Sequence, residues 1–216
     1  MIIYAAYREW ALNSAPANLS NLCIVRCSNS LLIEIEKNAQ SIEAIIFVGW
    51  SNKVQDWIVN RYVCVCFHPS DLPKFRGGSP IQNQIIAGVE YTKATLFKMT
   101  TSLDAGPIFS KQAISLLGEL DSVLKSISEA ASILVVDFIL TLRSGREICY
   151  EEQNESEATF YKRRSPDLSE ISQRELCTLS GKALYNRIRA LGDPYPNAFI
   201  RTIDGRRLII KKVELA

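Results

Sequence analysis

Residues Ala44-Ile45-Ile46-Phe47-Val48 form an unbroken apolar run, without the alternation of a strand that has one wet face. Such a strand is buried on both sides, which is the condition of a central strand in a parallel sheet covered by helices. The flanking segments repeat the theme. Ile2 to Ala6, Leu22 to Cys27 and Tyr62 to Phe67 are short apolar stretches separated by segments of helical spacing. The expected fold class is therefore α/β, a Rossmann-like core with a mostly parallel sheet. A dinucleotide fingerprint needs glycines directly after the first strand, yet the first glycine of the chain is Gly49, so nicotinamide-type cofactors are disfavoured.

Two helices carry clear end signals. Ser79 is expected as an N-cap, with Pro80 at the first helical position, Ile81, Ile85 and Ile86 as the apolar face and Gly88 as the stop. From Leu120 to Leu142 the apolar residues 120, 123, 124, 127, 131, 134, 135, 138 and 142 keep helical spacing, and Gly145 follows. Between them, Thr95 to Met99 and Gln112 to Leu116 read as strands joined through the loop Leu103-Asp104-Ala105-Gly106-Pro107, whose Gly-Pro step forbids helix. Past residue 145 the pattern weakens into a polar connection from Glu151 to Ser165, a short helix from Ser180 to Leu191 and a closing strand from Arg207 to Val213. Residues 1–145 are thus expected to form the catalytic domain. Residues 146–216 are expected as a small C-terminal appendage of helix and strand that completes the domain and its substrate site.

Charge excludes some partners. The formal net charge of +2 comes from 25 basic and 23 acidic residues that are scattered rather than blocked, so no nucleic-acid surface is expected. Arg8 and Glu9 stand where a signal peptide needs its apolar centre, and Asp137 interrupts the most apolar later stretch, so a cytoplasmic protein without a membrane partner is expected. The cysteines at 23, 27, 64, 66, 149 and 177 form no C-x-x-C pair and the chain has a single histidine, so no metal site is expected.

That histidine lies in the most informative segment, Cys66-Phe67-His68-Pro69-Ser70-Asp71-Leu72-Pro73-Lys74-Phe75-Arg76-Gly77-Gly78-Ser79-Pro80-Ile81-Gln82-Asn83. His68 falls at the carboxyl end of a buried parallel strand, where open α/β sheets collect ligands, and imidazole titrates near neutrality. In the loop beyond it, Lys74 and Arg76 are cations suited to an anion, and Gly77-Gly78 would let backbone amides approach a phosphate.

The string from His68 through Gln82, together with Leu103-Asp104-Ala105-Gly106-Pro107-Ile108, resembles the signature of the formyltetrahydrofolate-dependent formyltransferases. The likeness runs from the first strand to Tyr195-Pro-Asn-Ala-Phe199, nearly the whole chain. It implies a Rossmann-like formyltransferase core, N10-formyltetrahydrofolate as formyl donor, and His68 and Asp104 in the catalytic set. The family has an asparagine two residues before its histidine, where this chain has Cys66. A thiol donates poorly to a developing oxyanion, so a substitute donor is needed, and Asn83 is the expected one. By the same resemblance, Phe47, Val48, Gly49 and Trp50 with Leu103, Ala105 and Gly106 would bind the pterin. Arg8, Ser70, Lys74, Arg76, Gly77, Gly78 and Asn83 would bind the acceptor.

The full pattern looks most like the N-formyltransferases of nonulosonic-acid pathways, pseudaminic acid in particular, which implies a nucleotide-linked, UDP-type amino-dideoxy sugar as acceptor and leaves room for a homodimer. Three alternatives stand beside it. Methionyl-tRNA formylation is performed by members with an additional C-terminal RNA-binding barrel, for which the residues up to Ala216 leave no room. Hydrolysis of the donor gives no role to Lys74 and Arg76. An inactive nucleotide-sugar or folate binder would follow from the loss of the asparagine.

Overall fold

The computed structural model describes residues 1–216, and its elements follow in chain order. They are β1 (Ile2–Ala5), α1 (Glu9–Leu12), β2 (Leu22–Val25), α2 (Ser28–Asn38), β3 (Ala44–Val48), α3 (Asp56–Arg61), β4 (Cys64–His68), β5 (Arg76–Gly77), α4 (Pro80–Ile86), β6 (Tyr91–Lys98), β7 (Ile108–Ser115), α5 (Leu120–Arg143), β8 (Phe160–Tyr161), α6 (Gln173–Thr178), α7 (Gly181–Arg189), β9 (Phe199–Arg201) and β10 (Arg207–Ile209). The main sheet has the order β2-β1-β3-β4-β6-β7. Its first four strands are parallel, and β6 and β7 continue it antiparallel. The expected α/β class with a mostly parallel sheet is what the chain forms.

Each prediction about the sheet has a physical basis in burial. Every residue of β3 is buried, as its continuous apolar run requires. Alternation then sorts the side chains. Tyr4, Ile46, Val48, Val65 and Leu96 join the cluster covered by α5, while Ile3, Ala5, Ile45, Phe47 and Cys64 face α2 and α3. The strand expected at Tyr62 to Phe67 begins at Cys64 and reaches His68, which places the imidazole at the carboxyl end of the parallel set. No helix is long and apolar enough to cross a membrane.

Two local expectations need correction. Ser79 does not cap α4 with its side chain. Its backbone is left-handed at φ +52°, and its hydroxyl instead accepts a hydrogen bond from the Arg164 amide at 3.1 Å. The closing strand ends at Ile209 and pairs with β9 in a separate hairpin rather than extending the sheet. That hairpin and α7 enclose a small core of Ile171, Ile188, Leu191 and Ala198.

Helix α5 is the principal cover of the sheet, and Phe138 is its fully buried centre, edge-on to Phe109 at 5.3 Å. Phe138→Ala should therefore cost about 3–5 kcal/mol in urea unfolding, the usual range for emptying an aromatic core position. A loss below about 1 kcal/mol would show that this face is loosely packed.

Candidate active site

A cleft of about 1060 Å³ opens at the carboxyl ends of β1, β3 and β4, the position expected for ligands in an open α/β sheet. Cys66 and His68 reach it from one face of β4, since side chains two apart share a face. Asp104 reaches it from the β6–β7 connection. The His68 ring is 6% exposed, with Nδ1 3.7 Å from Asp104 Oδ2. Nε2 lies 2.8 Å from the Phe75 carbonyl oxygen. A carbonyl only accepts, so Nε2 carries the proton of the neutral ring, and Nδ1 keeps its lone pair toward Asp104 and the cleft. The Asp104 carboxylate is held by the Gly77 amide, which donates to Oδ2 at 2.7 Å.

The chain's own backbone explains why the glycines stand here. A Cβ on Gly77 would lie 2.4 Å from the Tyr161 carbonyl oxygen, and one on Gly78 would lie 2.3 Å from the Arg163 Cα. Gly77 and Gly78 line the cleft, and their lack of a side chain admits the segment 160–163. Both amides are also engaged, Gly77 with Asp104 and Gly78 with the Tyr161 carbonyl at 2.8 Å. This segment belongs to a strap, residues 151–165, read from sequence as a mere connection. Its β8 pairs in parallel with β5, and Tyr161 stacks on Phe75 at 4.9 Å.

The other expected acceptor contacts divide. Arg8 lines the cleft, its guanidinium 5.0 Å from the Tyr195 ring centroid. Arg76 does not meet an anion from outside. It is 1% exposed, ion-paired to Glu155 at 2.6 Å and hydrogen-bonded to Gln153, because the strap covers it. Lys74 is exposed and lies off the cleft wall, and Ser70 is buried with its hydroxyl donating to the Lys74 carbonyl at 2.7 Å, so both only shape the loop. Asn83 is not at the reacting centre. Its amide turns back to donate to the Gly78 carbonyl at 2.9 Å, closing the first turn of α4, while Gln82 takes the cleft side.

Of the expected pterin contacts, Phe47, Gly49, Trp50 and Leu103 line the cleft. Val48 does not, since alternation sends it into the core under α5. Ala105 and Gly106 also stay off the wall, and Gly106 is pressed against β6, where a Cβ would lie 1.8 Å from the Lys98 carbonyl oxygen.

Sequence reasoning missed Trp10, Gln82, Tyr195 and the strap cations Lys162, Arg163 and Arg164, all of which line the cleft. The run Tyr161-Lys162-Arg163-Arg164 was the one available signal. The indole nitrogen of Trp50 is a buried donor without a partner, while the Trp10 indole and the Gln82 amide face the Tyr195 hydroxyl.

The profile of the formyl transferase family matches residues 17–137. The chain belongs to this family. A solved methionyl-tRNA formyltransferase from Clostridium thermocellum is 33% identical, with a TM-score of 0.84 across 100% of this chain and 93% of that one. The curated methionyl-tRNA formyltransferase of Lachnospira eligens is 31% identical over 185 residues, which are 84% of this chain and 56% of the relative, so the chain spans about half the length of such relatives. HypX from Aquifex aeolicus, solved with tetrahydrofolic acid, shares the fold at a TM-score of 0.81 and 16% identity, over 98% of this chain and 37% of that one. A solved sugar N-formyltransferase from Shewanella shares it at a TM-score of 0.73 and 15% identity, over 100% of this chain and 98% of that one, and a solved 4-N formyltransferase from Francisella tularensis at 0.77 and 16%, over 100% and 97%.

Cys66 stands where the family's asparagine is expected. Burial first, then the Asp104 charge, pushes its thiol well above the ordinary range, and burial raises Cys64 to about 12. Cys27 differs: exposed at the N-cap of α2, its sulfur faces Ser30 at 3.4 Å, and the Ser30 hydroxyl and amide hold it below the usual thiol range. Iodoacetamide at about pH 8 should therefore label Cys27 first in the native protein, Cys66 far more slowly and Cys64 only after unfolding, as read by peptide mass mapping. Native labelling of Cys66 as fast as Cys27 would contradict a neutral thiol at the cleft wall.

Proposed function

We propose that the chain transfers a formyl group from N10-formyltetrahydrofolate to the primary amine of a nucleotide-linked amino sugar, with His68 and Asp104 as the working pair. The observation that carries this reading is the fixed orientation of His68, whose bare Nδ1 faces both Asp104 and the cleft. The donor supplies the carbon that is attacked. As the acceptor nitrogen bonds to that carbon, His68 Nδ1 takes the proton the amine sheds, and the imidazolium so formed lies against the Asp104 carboxylate. The same proton then passes to the folate nitrogen that leaves, so the ring ends neutral. Phe47, Trp50 and Leu103 offer an apolar wall for the pterin, with Phe47 and Trp50 edge-on at 5.9 Å.

The acceptor class is supported by where unpaired charge lies. Arg8, Lys53, Lys162, Arg163 and Arg164 line the cleft, and none of them is in an ion pair within the chain. On the C-terminal hairpin, by contrast, Arg201, Arg206, Arg207, Lys211 and Lys212 are each matched to an acid, Glu170, Asp204, Asp167, Asp193 and Glu214 respectively. A small phosphate-bearing acceptor held inside the cleft uses the first group. A UDP-linked amino-dideoxy sugar of the pseudaminic-acid type has that chemistry. The second reading, methionyl-tRNA as acceptor, is favoured by the sequence relatives, whose identity is about twice that of the sugar enzymes.

Incubation with N10-formyltetrahydrofolate and either UDP- or dTDP-linked amino sugars or methionyl-tRNA, read by mass, decides between them. Gain of one formyl group on a sugar nucleotide is expected, and formylation of methionyl-tRNA alone would overturn the acceptor assignment. On the active acceptor, His68→Asn should lower kcat by at least about 10²-fold. Asn83→Ala should stay within a few fold, since it loses only a helix-start hydrogen bond. A larger effect at Asn83 than at His68 would overturn the assignment of the pair.

A further inference from the structure

Arg76 and Gln153 are buried polar residues that the chemistry above leaves unused. Arg76 Nε and Nη2 donate to Gln153 Oε1 at 3.2 and 2.8 Å, while Nη1 and Nη2 also donate to the Glu155 carboxylate at 2.8 and 2.6 Å. With its oxygen so fixed, the Gln153 amide nitrogen can point only the other way. It donates to the backbone carbonyls of Asp104 at 2.9 Å and Gly106 at 2.7 Å, which uses both of its protons. The backbone it holds is an uncommon one, since Asp104 sits at φ +51°.

We propose that Gln153, locked in orientation by Arg76, is a positioning residue for Asp104. It fixes the backbone of the β6–β7 loop and, through it, the carboxylate facing His68. Gln153 also lies in the strap that pairs with β5 and carries Lys162 and Arg163 to the cleft. One side chain therefore registers the acceptor-facing wall against the catalytic carboxylate. The inference rests on the reading of His68 and Asp104 as the working pair. The charged groups that share the cleft with His68 are Asp104, Asp56, Arg8, Lys53, Lys162, Arg163 and Arg164, and of these Asp104 is the one within 4 Å of the ring.

Two substitutions remove the amide donor in different ways. Gln153→Glu keeps an oxygen for Arg76, and Gln153→Met keeps the volume without adding charge. The readout is NMR of the labelled, substrate-free protein, following the Gly77 amide proton, which is bonded to Asp104 Oδ2, and the ring of His68, which is unambiguous because the chain has one histidine. Both variants should move both signals in the direction that Asp104→Asn moves them, and neither should add to the shift in an Asp104→Asn background. With donor and acceptor supplied, kcat should fall on the order of 10²-fold, the effect of misplacing a catalytic group by about 1 Å, while KM for the formyl donor stays nearly constant. Should one variant fail to fold in a thermal melt, the other carries the test. If the folded variants leave both signals in place while Asp104→Asn moves them, the positioning role is overturned and the His68–Asp104 pair stands. If Asp104→Asn itself moves neither signal, the pair and the inference fall together.

Discussion

The buried guanidinium of Arg76 is the interaction on which the working end of this molecule depends. A cation at 1% exposure is tolerated only when its donors are met, and here two strap residues meet them while the Phe160 ring lies 5.5 Å from the guanidinium carbon. That requirement draws residues far along the chain back onto the loop after His68. The strap then closes one side of the cleft, buries Gln153 beneath the Asp104 loop, and stacks Tyr161 on Phe75, the residue whose carbonyl orients the histidine. A charge that cannot be left unpaired organises the site more firmly than apolar contact could, because hydrophobic burial has no direction.

Much of the sheet was legible from sequence for a simple reason. Continuous apolar runs such as Ala44 to Val48 have few environments other than the centre of a covered parallel sheet, and α5 advertises itself by sustained helical spacing. The strap was not legible. β8 is two exposed residues long, and its partner lies more than eighty positions earlier in the chain, so neither periodicity nor local propensity marks it. The site divides along the same line. His68 and Asp104 stand in a strand end and a loop whose local signals are strong, and the fold brings them together. Arg76 and the adjacent glycines were read as a phosphate cradle because an arginine beside two glycines looks the same whether its counter-ion is a ligand or a glutamate of its own chain. Asn83 and Gln82 differ by one position on a helix, about 100° of rotation, and the start of α4 had to be known before the cleft-facing one could be chosen.

Cys66 sets the chemistry apart from the family pattern in a definite way. Its burial keeps the sulfur protonated, and its only hydrogen bond is a long one to the Phe67 carbonyl at 3.7 Å. The strand face therefore presents a small, weakly polar surface beside His68.

The back of the cleft draws on two separate cores. Leu191 and Tyr195 line it; Tyr195 packs against the core of the sheet, whereas Leu191 packs in the small core made with Ile171, Ile188 and Ala198. A cluster of four buried residues resists local opening far less than the sheet and its covering helix do. Amide exchange in α7 and the β9–β10 hairpin should therefore proceed through sub-global opening, and that in β3 and β4 through global unfolding. A ligand that touches Leu191 would bind the closed form of this unit, so part of its intrinsic affinity would be spent on shutting that wall, and its arrival should slow exchange at residues it never contacts.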